Sequence, residues 1–155
     1  MRGKEAAPVK AKEYLQQLKR FDTVIHQKIK ELSDLRQQSQ SIGSMDYSRE
    51  RVQTGFSGNA PFVNLTGRIL DLEAEINTEI DGFMDEKHRV INQIQGLSSV
   101  NHISLLYKRY IEFKKLEVVA AEMNFTYQYV VELHGRALKE FQTTYENLLK
   151  TYEGT

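Results

Sequence analysis

A chain of 155 residues, 40% hydrophobic, with no cysteine and 21 basic against 21 acidic side chains, has room for one domain, or for one small domain with an extension. A disulfide scaffold is excluded, a reducing cytosol is allowed, and the balanced charge leaves no basic footprint at the level of the whole chain. No early apolar run has the form of a signal peptide and none nears the length of a membrane span, so no membrane partner is expected.

Residues 1–10 read as a flexible tail. From Ala11 the pattern turns helical. Ala11, Leu18, Ile25 and Leu32 recur every seven residues, and Tyr14, Phe21 and Leu35 fill the intermediate positions with Lys28 as the exception. That is a coiled-coil seam, and the helix should end within 39–43. Residues 41–60, rich in Ser and Gly and without a period, form a long loop. Its Arg49 and Arg51 belong either to a tether or to a phosphate or partner contact. The sevenfold spacing returns after Pro61, a residue suited to a helix start, through Phe62, Ile69, Ile76, Phe83, Val90 and Leu97. Leu65 and Leu72 add the second seam position, and Ile80 and Ile94 broaden the stripe. Two seams joined by one loop over 11–96 predict a long antiparallel helical hairpin. A kink is expected near Asp81 and Gly82, because glycine weakens a helix interior. Glu73, Glu75, Glu79, Asp85, Glu86 and Lys87 fall where a solvated face is expected.

Residues 96–101 break the second helix and open a C-terminal module over 101–155. Ile103, Leu106, Tyr107 and Tyr110 are spaced i, i+3, i+4, i+7. So are Leu116, Val119, Ala120 and Met123, and Val130, Leu133, Ala137 and Phe141 follow in a third series. Each series marks one face of a helix. Asn124 can take the left-handed conformation that ends the second helix, and the Thr126 hydroxyl can cap the third. Two or three residues are left to turn the chain, the signature of a helix-turn-helix. The third helix is expected to continue past Phe141 through Tyr145, Leu148 and Tyr152.

Catalytic or cofactor chemistry has no motif to rest on. His26, His88, His102 and His134 lack partners at metal-ligand spacing, and neither a phosphate-binding glycine loop nor a nucleophile elbow occurs. The expectation is a protein that is not an enzyme and carries no cofactor and no metal.

The C-terminal residues carry a resemblance. Leu106, Arg109 and Tyr110, then Leu116, Glu117 and Ala120, then Thr126, Val130, Leu133, Ala137 and Leu138 are similar to the fourth region of bacterial sigma factors, which reads the upstream promoter element. Spacing from Leu116 to Leu138 fits without a gap. The chain as a whole, including Arg51, Val52 and Gln53, resembles small phage and prophage transcriptional regulators of the ArpU/RinA type. The resemblance implies an all-α protein in which a coiled-coil hairpin precedes a helix-turn-helix. It also implies sequence-directed binding to double-stranded DNA, in transcriptional control of phage or prophage genes in the bacterial host cytoplasm.

Under that reading the helix opened by Thr126 enters the major groove. Tyr127, Gln128, Tyr129, Val131 and Glu132 then meet base edges. Gln128 could bond adenine and Glu132 accept from a cytosine amine. Thr126, Arg109, Lys114, Lys115, Arg136 and Lys139 would contact phosphates, or else form ordinary solvated surface. From Asn101 onward seven Lys/Arg are matched by seven Asp/Glu, so counterion release supplies little affinity per chain. A homodimer, or a second DNA-bound partner such as RNA polymerase, is therefore expected. Two other readings stay open: a protein-interaction module that captures a host transcription component, and a purely structural helical protein.

Overall fold

The computed structural model describes residues 9–43 and 60–152. Of the expected tail over 1–10, Val9 and Lys10 already belong to a helix; residues 1–8 and most of the expected loop, with Arg49, Arg51, Val52 and Gln53, lie outside the described residues, as does the side chain of Phe62. Among the described residues the protein is all-helical, with no strand. The helices are α1 (Val9–Gly43), α2 (Ala60–Gln95), α3 (Val100–Leu106), α4 (Leu116–Met123), α5 (Tyr127–Thr144) and α6 (Glu146–Thr151), and a π-helical turn, Tyr107–Ile111, follows α3 directly.

Packing groups these residues into two compact units, 9–21 with 83–152 and 22–43 with 60–82, so α1 and α2 each contribute to both. In the second unit Leu32, Leu72 and Ile76 form a small core flanked by Leu35, Ile69 and Ile80. Lys28, the charged intruder in the α1 seam, has a partner across it. Its ammonium lies 2.7 Å from Glu75 and also binds Glu79, and these carboxylates raise its pKa, the Glu75 hydrogen bond first. Arg36 pairs with Glu73. Partners on α2 thus fall in number as α1 advances.

The first unit holds the larger core. Ala11, Tyr14, Leu15 and Leu18 of α1 and Val90 and Ile94 of α2 are buried in one cluster with Leu105, Val119, Val130, Phe141 and Leu149 of the later helices. Tyr14 packs at 6.0 Å from the Phe141 ring and edge-on at 5.3 Å from Tyr152, and its hydroxyl donates to Gln93 Oε1 at 2.8 Å. The expected α1 seam is buried at Ala11, Tyr14, Leu18, Ile25 and Leu32, with two departures: Leu15, outside the seam, is fully buried, and Phe21, placed in the seam by its spacing, is 47% exposed.

α2 is a single helix that includes Asp81 and Gly82, and nothing lies within 4 Å of where a Cβ on Gly82 would be. One further expectation changes. The helix begun at Tyr127 does not reach Tyr152. Tyr145 leaves helical geometry (φ −114°, ψ 32°) and α6 starts at Glu146. The Tyr145 hydroxyl is tied to the Gln93 carbonyl at 2.6 Å, and the same break lets Leu149 reach the core.

Candidate nucleic-acid interface

The pair α4 and α5 is built by its turn. Asn124 takes the left-handed conformation (φ 58°), at low cost for Asn. Phe125 N–H then donates to the Ala120 carbonyl at 2.9 Å and Asn124 N–H to that of Ala121 at 3.3 Å, which satisfies the last carbonyls of α4. Thr126 is extended, and its Oγ1 accepts from Tyr129 N–H at 3.2 Å, the N-cap of α5. Val119 and Ala120 meet Val130, Leu133 and Ala137 in the core. Ala120 is small enough to let the helices approach closely.

The other side of α5 faces outward. Tyr127 is 49% exposed and Val131 42%, and Gln128, Glu132, Gly135, Arg136 and Lys139 are exposed as well. At about 100° per residue these positions share one face. Tyr129 sits at its flank, edge-on to Phe125 at 4.9 Å. Glu132 and Arg136 lie 3.6 Å apart, one turn from each other, so this pair contributes no net charge.

The basic residues of the turn before α4 are engaged within the protein. Arg109 Nη1 donates to the Lys114 carbonyl at 2.9 Å. Lys114 is held by Glu112 at 2.5 Å and Glu122 at 2.7 Å, and Lys108 reaches Glu122 at 3.3 Å. Glu112 foremost, then Glu122, raises the Lys114 pKa, and Lys114 in turn lowers that of Glu122. Lys115 is exposed at the start of α4. Between these residues Phe113 adopts φ 58°, a strained conformation for a bulky side chain. Its ring packs against the core cluster and lies 4.7 Å beneath the Lys19 ammonium.

Two polar contacts behind this face carried no signal in the sequence. Tyr110 donates its hydroxyl hydrogen to His134 Nε2 at 2.8 Å, with the rings stacked at 5.8 Å. Burial pushes Tyr110 up to about 12. Burial first, then the charges of Arg109 and Lys12, holds His134 down to about 4. The imidazole is therefore neutral and free to accept. Farther along α5, Glu140 accepts from Ser98 N–H at 2.7 Å and Ser98 Oγ at 2.6 Å and pairs with His102. Partial burial opposes its charge, but these donors outweigh it and bring the carboxyl to about 2. The clamp fixes the turn between α2 and α3 onto α5.

Among the described residues no group of three or more His, Cys, Asp or Glu could hold a metal ion, and no helix is long and apolar enough to cross a membrane. No family model, curated protein or solved structure matches the chain.

Proposed function

We propose that this chain is a sequence-directed DNA-binding regulator of transcription, acting in the bacterial cytoplasm on phage or prophage genes. In this reading it comprises an antiparallel helical hairpin and a sigma-like helix-turn-helix formed by α4, its turn and α5, and it has no catalytic task. The observation that carries the reading is the capped α5, whose first two turns present Tyr127, Gln128, Val131 and Glu132 outward while Val130, Leu133 and Ala137 are buried. A helix so placed can offer paired donors and acceptors to base edges in a major groove. Thr126, Arg109, Lys114, Lys115, Arg136 and Lys139 are the candidates for phosphates, and Arg109, Lys114 and Arg136 would have to exchange their present partners for them.

Binding of the full chain to fragments of its source genome tests this directly. Gln128→Ala should cost about 1–3 kcal/mol on the selected site and relax preference at one base position. Arg136→Ala should weaken all DNA alike and flatten the salt dependence. If Gln128→Ala and Glu132→Ala leave the preference of a folded protein unchanged, α5 does not read bases.

A second reading is favoured by the pairing of Glu132 with Arg136 and by the exposed Tyr127 and Val131. A partly aromatic face whose Glu132 and Arg136 charges cancel suits a protein partner, here a host transcription component such as RNA polymerase or its sigma factor. Capture of purified polymerase by the full chain in the absence of DNA would favour this reading over the first.

A further inference from the structure

Within the unit formed by 22–43 and 60–82, α2 carries a second stripe. Val63 is 62% exposed and Leu70 59%. Gly67 and Ala74 are also exposed, and nothing lies within 4 Å of where a Cβ on Gly67 would be. The spacing 63, 67, 70, 74 alternates four and three, the spacing of a coiled-coil seam. At about 100° per residue these positions lie roughly opposite Leu65, Leu72 and Ile76, which face the core. Among its described side chains in this unit α1 has no counterpart: its exposed Val24 and Ile29 are five residues apart and fall on different faces.

We infer that this outward stripe is a homodimer interface, in which α2 of one copy lies antiparallel to α2 of a second copy across a two-fold axis. The argument is self-complementarity. In a two-fold contact residue i meets j and j meets i. With Gly67 facing Leu70 of the second copy, Val63 faces Ala74, Leu70 faces Gly67 and Ala74 faces Val63. All four layers then match a large side chain with a small one, which lets the helices approach closely and leaves no void. A parallel pair in register stacks Leu70 on Leu70 and leaves a gap between the two Gly67. Sliding the antiparallel pair one heptad toward the C-terminus sets Val63 against Asp81 and Gly67 against Asn77. In the matched register the flanking charges agree as well. Asp71 falls beside Asn64 of the second copy and Glu73 beside Thr66, while Arg68 lies away from the contact, so no like charges meet. Asn77 ends the apolar run and limits the contact to these layers. The inference needs no DNA and stands or falls apart from the reading of α5.

Sedimentation of the full chain, without DNA, tests it. The native protein should dimerise reversibly in the micromolar range. Gly67→Leu fills open space in the single chain, so it should keep the fold and its helix content. It should nevertheless weaken dimerisation by about tenfold or more, through overpacking against Leu70 of the second copy. Orientation is read by disulfide trapping, which the cysteine-free chain makes clean. Gly67→Cys mixed with Leu70→Cys should give the crosslinked heterodimer in preference to either homodimer. A native chain that stays monomeric at high micromolar concentration overturns the inference. So does a Gly67→Leu variant that dimerises like the native chain, or trapping dominated by the Leu70→Cys homodimer.

Discussion

His134 shows how one side chain ties stability to pH. The folded protein holds it to about 4, and its ordinary value is 6.5. Between those values the unfolded chain takes up a proton that the folded chain refuses. The stabilisation is therefore complete above about pH 6.5, declines as pH falls toward 4, and changes no further below that. Thermal unfolding should show a midpoint that drops over this interval. His134→Gln keeps an acceptor for the Tyr110 hydroxyl without a titrating group, and it should flatten the drop. Glu140 acts in a lower window. Its carboxyl is held to about 2 against an ordinary 4.5, so its contribution is present above 4.5 and is lost as pH falls toward 2. The two residues are separable by the pH at which each slope appears.

At the scale of elements, the break between α5 and α6 depends on a close approach. A Cβ on Gly96 would lie 2.5 Å from the Tyr145 hydroxyl, the group that donates to the Gln93 carbonyl. Gly96→Ala should displace that hydroxyl and cost about 1–2 kcal/mol. Tyr145→Phe alone loses the same hydrogen bond, so the double variant should cost clearly less than the two changes added together, as read by denaturant unfolding. The sequence announced the helices themselves and the turn at Asn124 and Thr126, because apolar period and cap chemistry are local signals. It did not announce the exposure of Phe21 or the burial of Leu15, because a seven-residue period presumes one packing partner and α1 meets several. It did not announce the end of α5 either. The stripe through Tyr145 and Leu148 continues the right period, and only the distant Gln93 carbonyl decides where the helix stops. Among the candidate DNA-facing residues, the outward turn of Gln128 and Glu132 follows from the burial of Val130 and Leu133 between them. The engagement of Arg109 and Lys114 depends on a fold-back at Phe113 that no residue pattern advertises.

For the molecule as a whole, the two units differ in how much apolar surface they bury. One collects nineteen buried residues into a single cluster, and the other centres on Leu32, Leu72 and Ile76. Local opening free energies follow buried contact density. Amide hydrogen exchange should therefore be faster over 22–43 and 60–82 than over the buried turns of α3 to α5. Slower exchange in the first pair at low protein concentration would contradict this. Self-association through α2 should slow exchange over 60–82 as concentration rises and leave α5 unaffected. The balance of seven basic against seven acidic residues from Asn101 onward bears on DNA in the same global way. Few phosphates can be neutralised per chain, so any affinity for DNA should fall only shallowly with added salt unless two chains bind together.

The π-helical turn at Tyr107–Ile111 has a consequence for chain length. A turn of this kind accommodates one residue more than the α-helical turn it replaces, so a residue can be removed there without changing the phase of what lies on either side. Deleting Lys108, whose side chain is a surface partner of Glu122, should close the turn into regular α-helix and leave Leu106 and Ile111 facing the core. Deleting Val131, an exposed residue of α5, rotates every later position by about 100° and carries Leu133, Ala137 and Phe141 out of the core. Thermal unfolding of the two deletions should show a folded protein in the first case and none in the second. Tolerance to a lost residue would then map to one turn of the chain and not to its exposed surface in general.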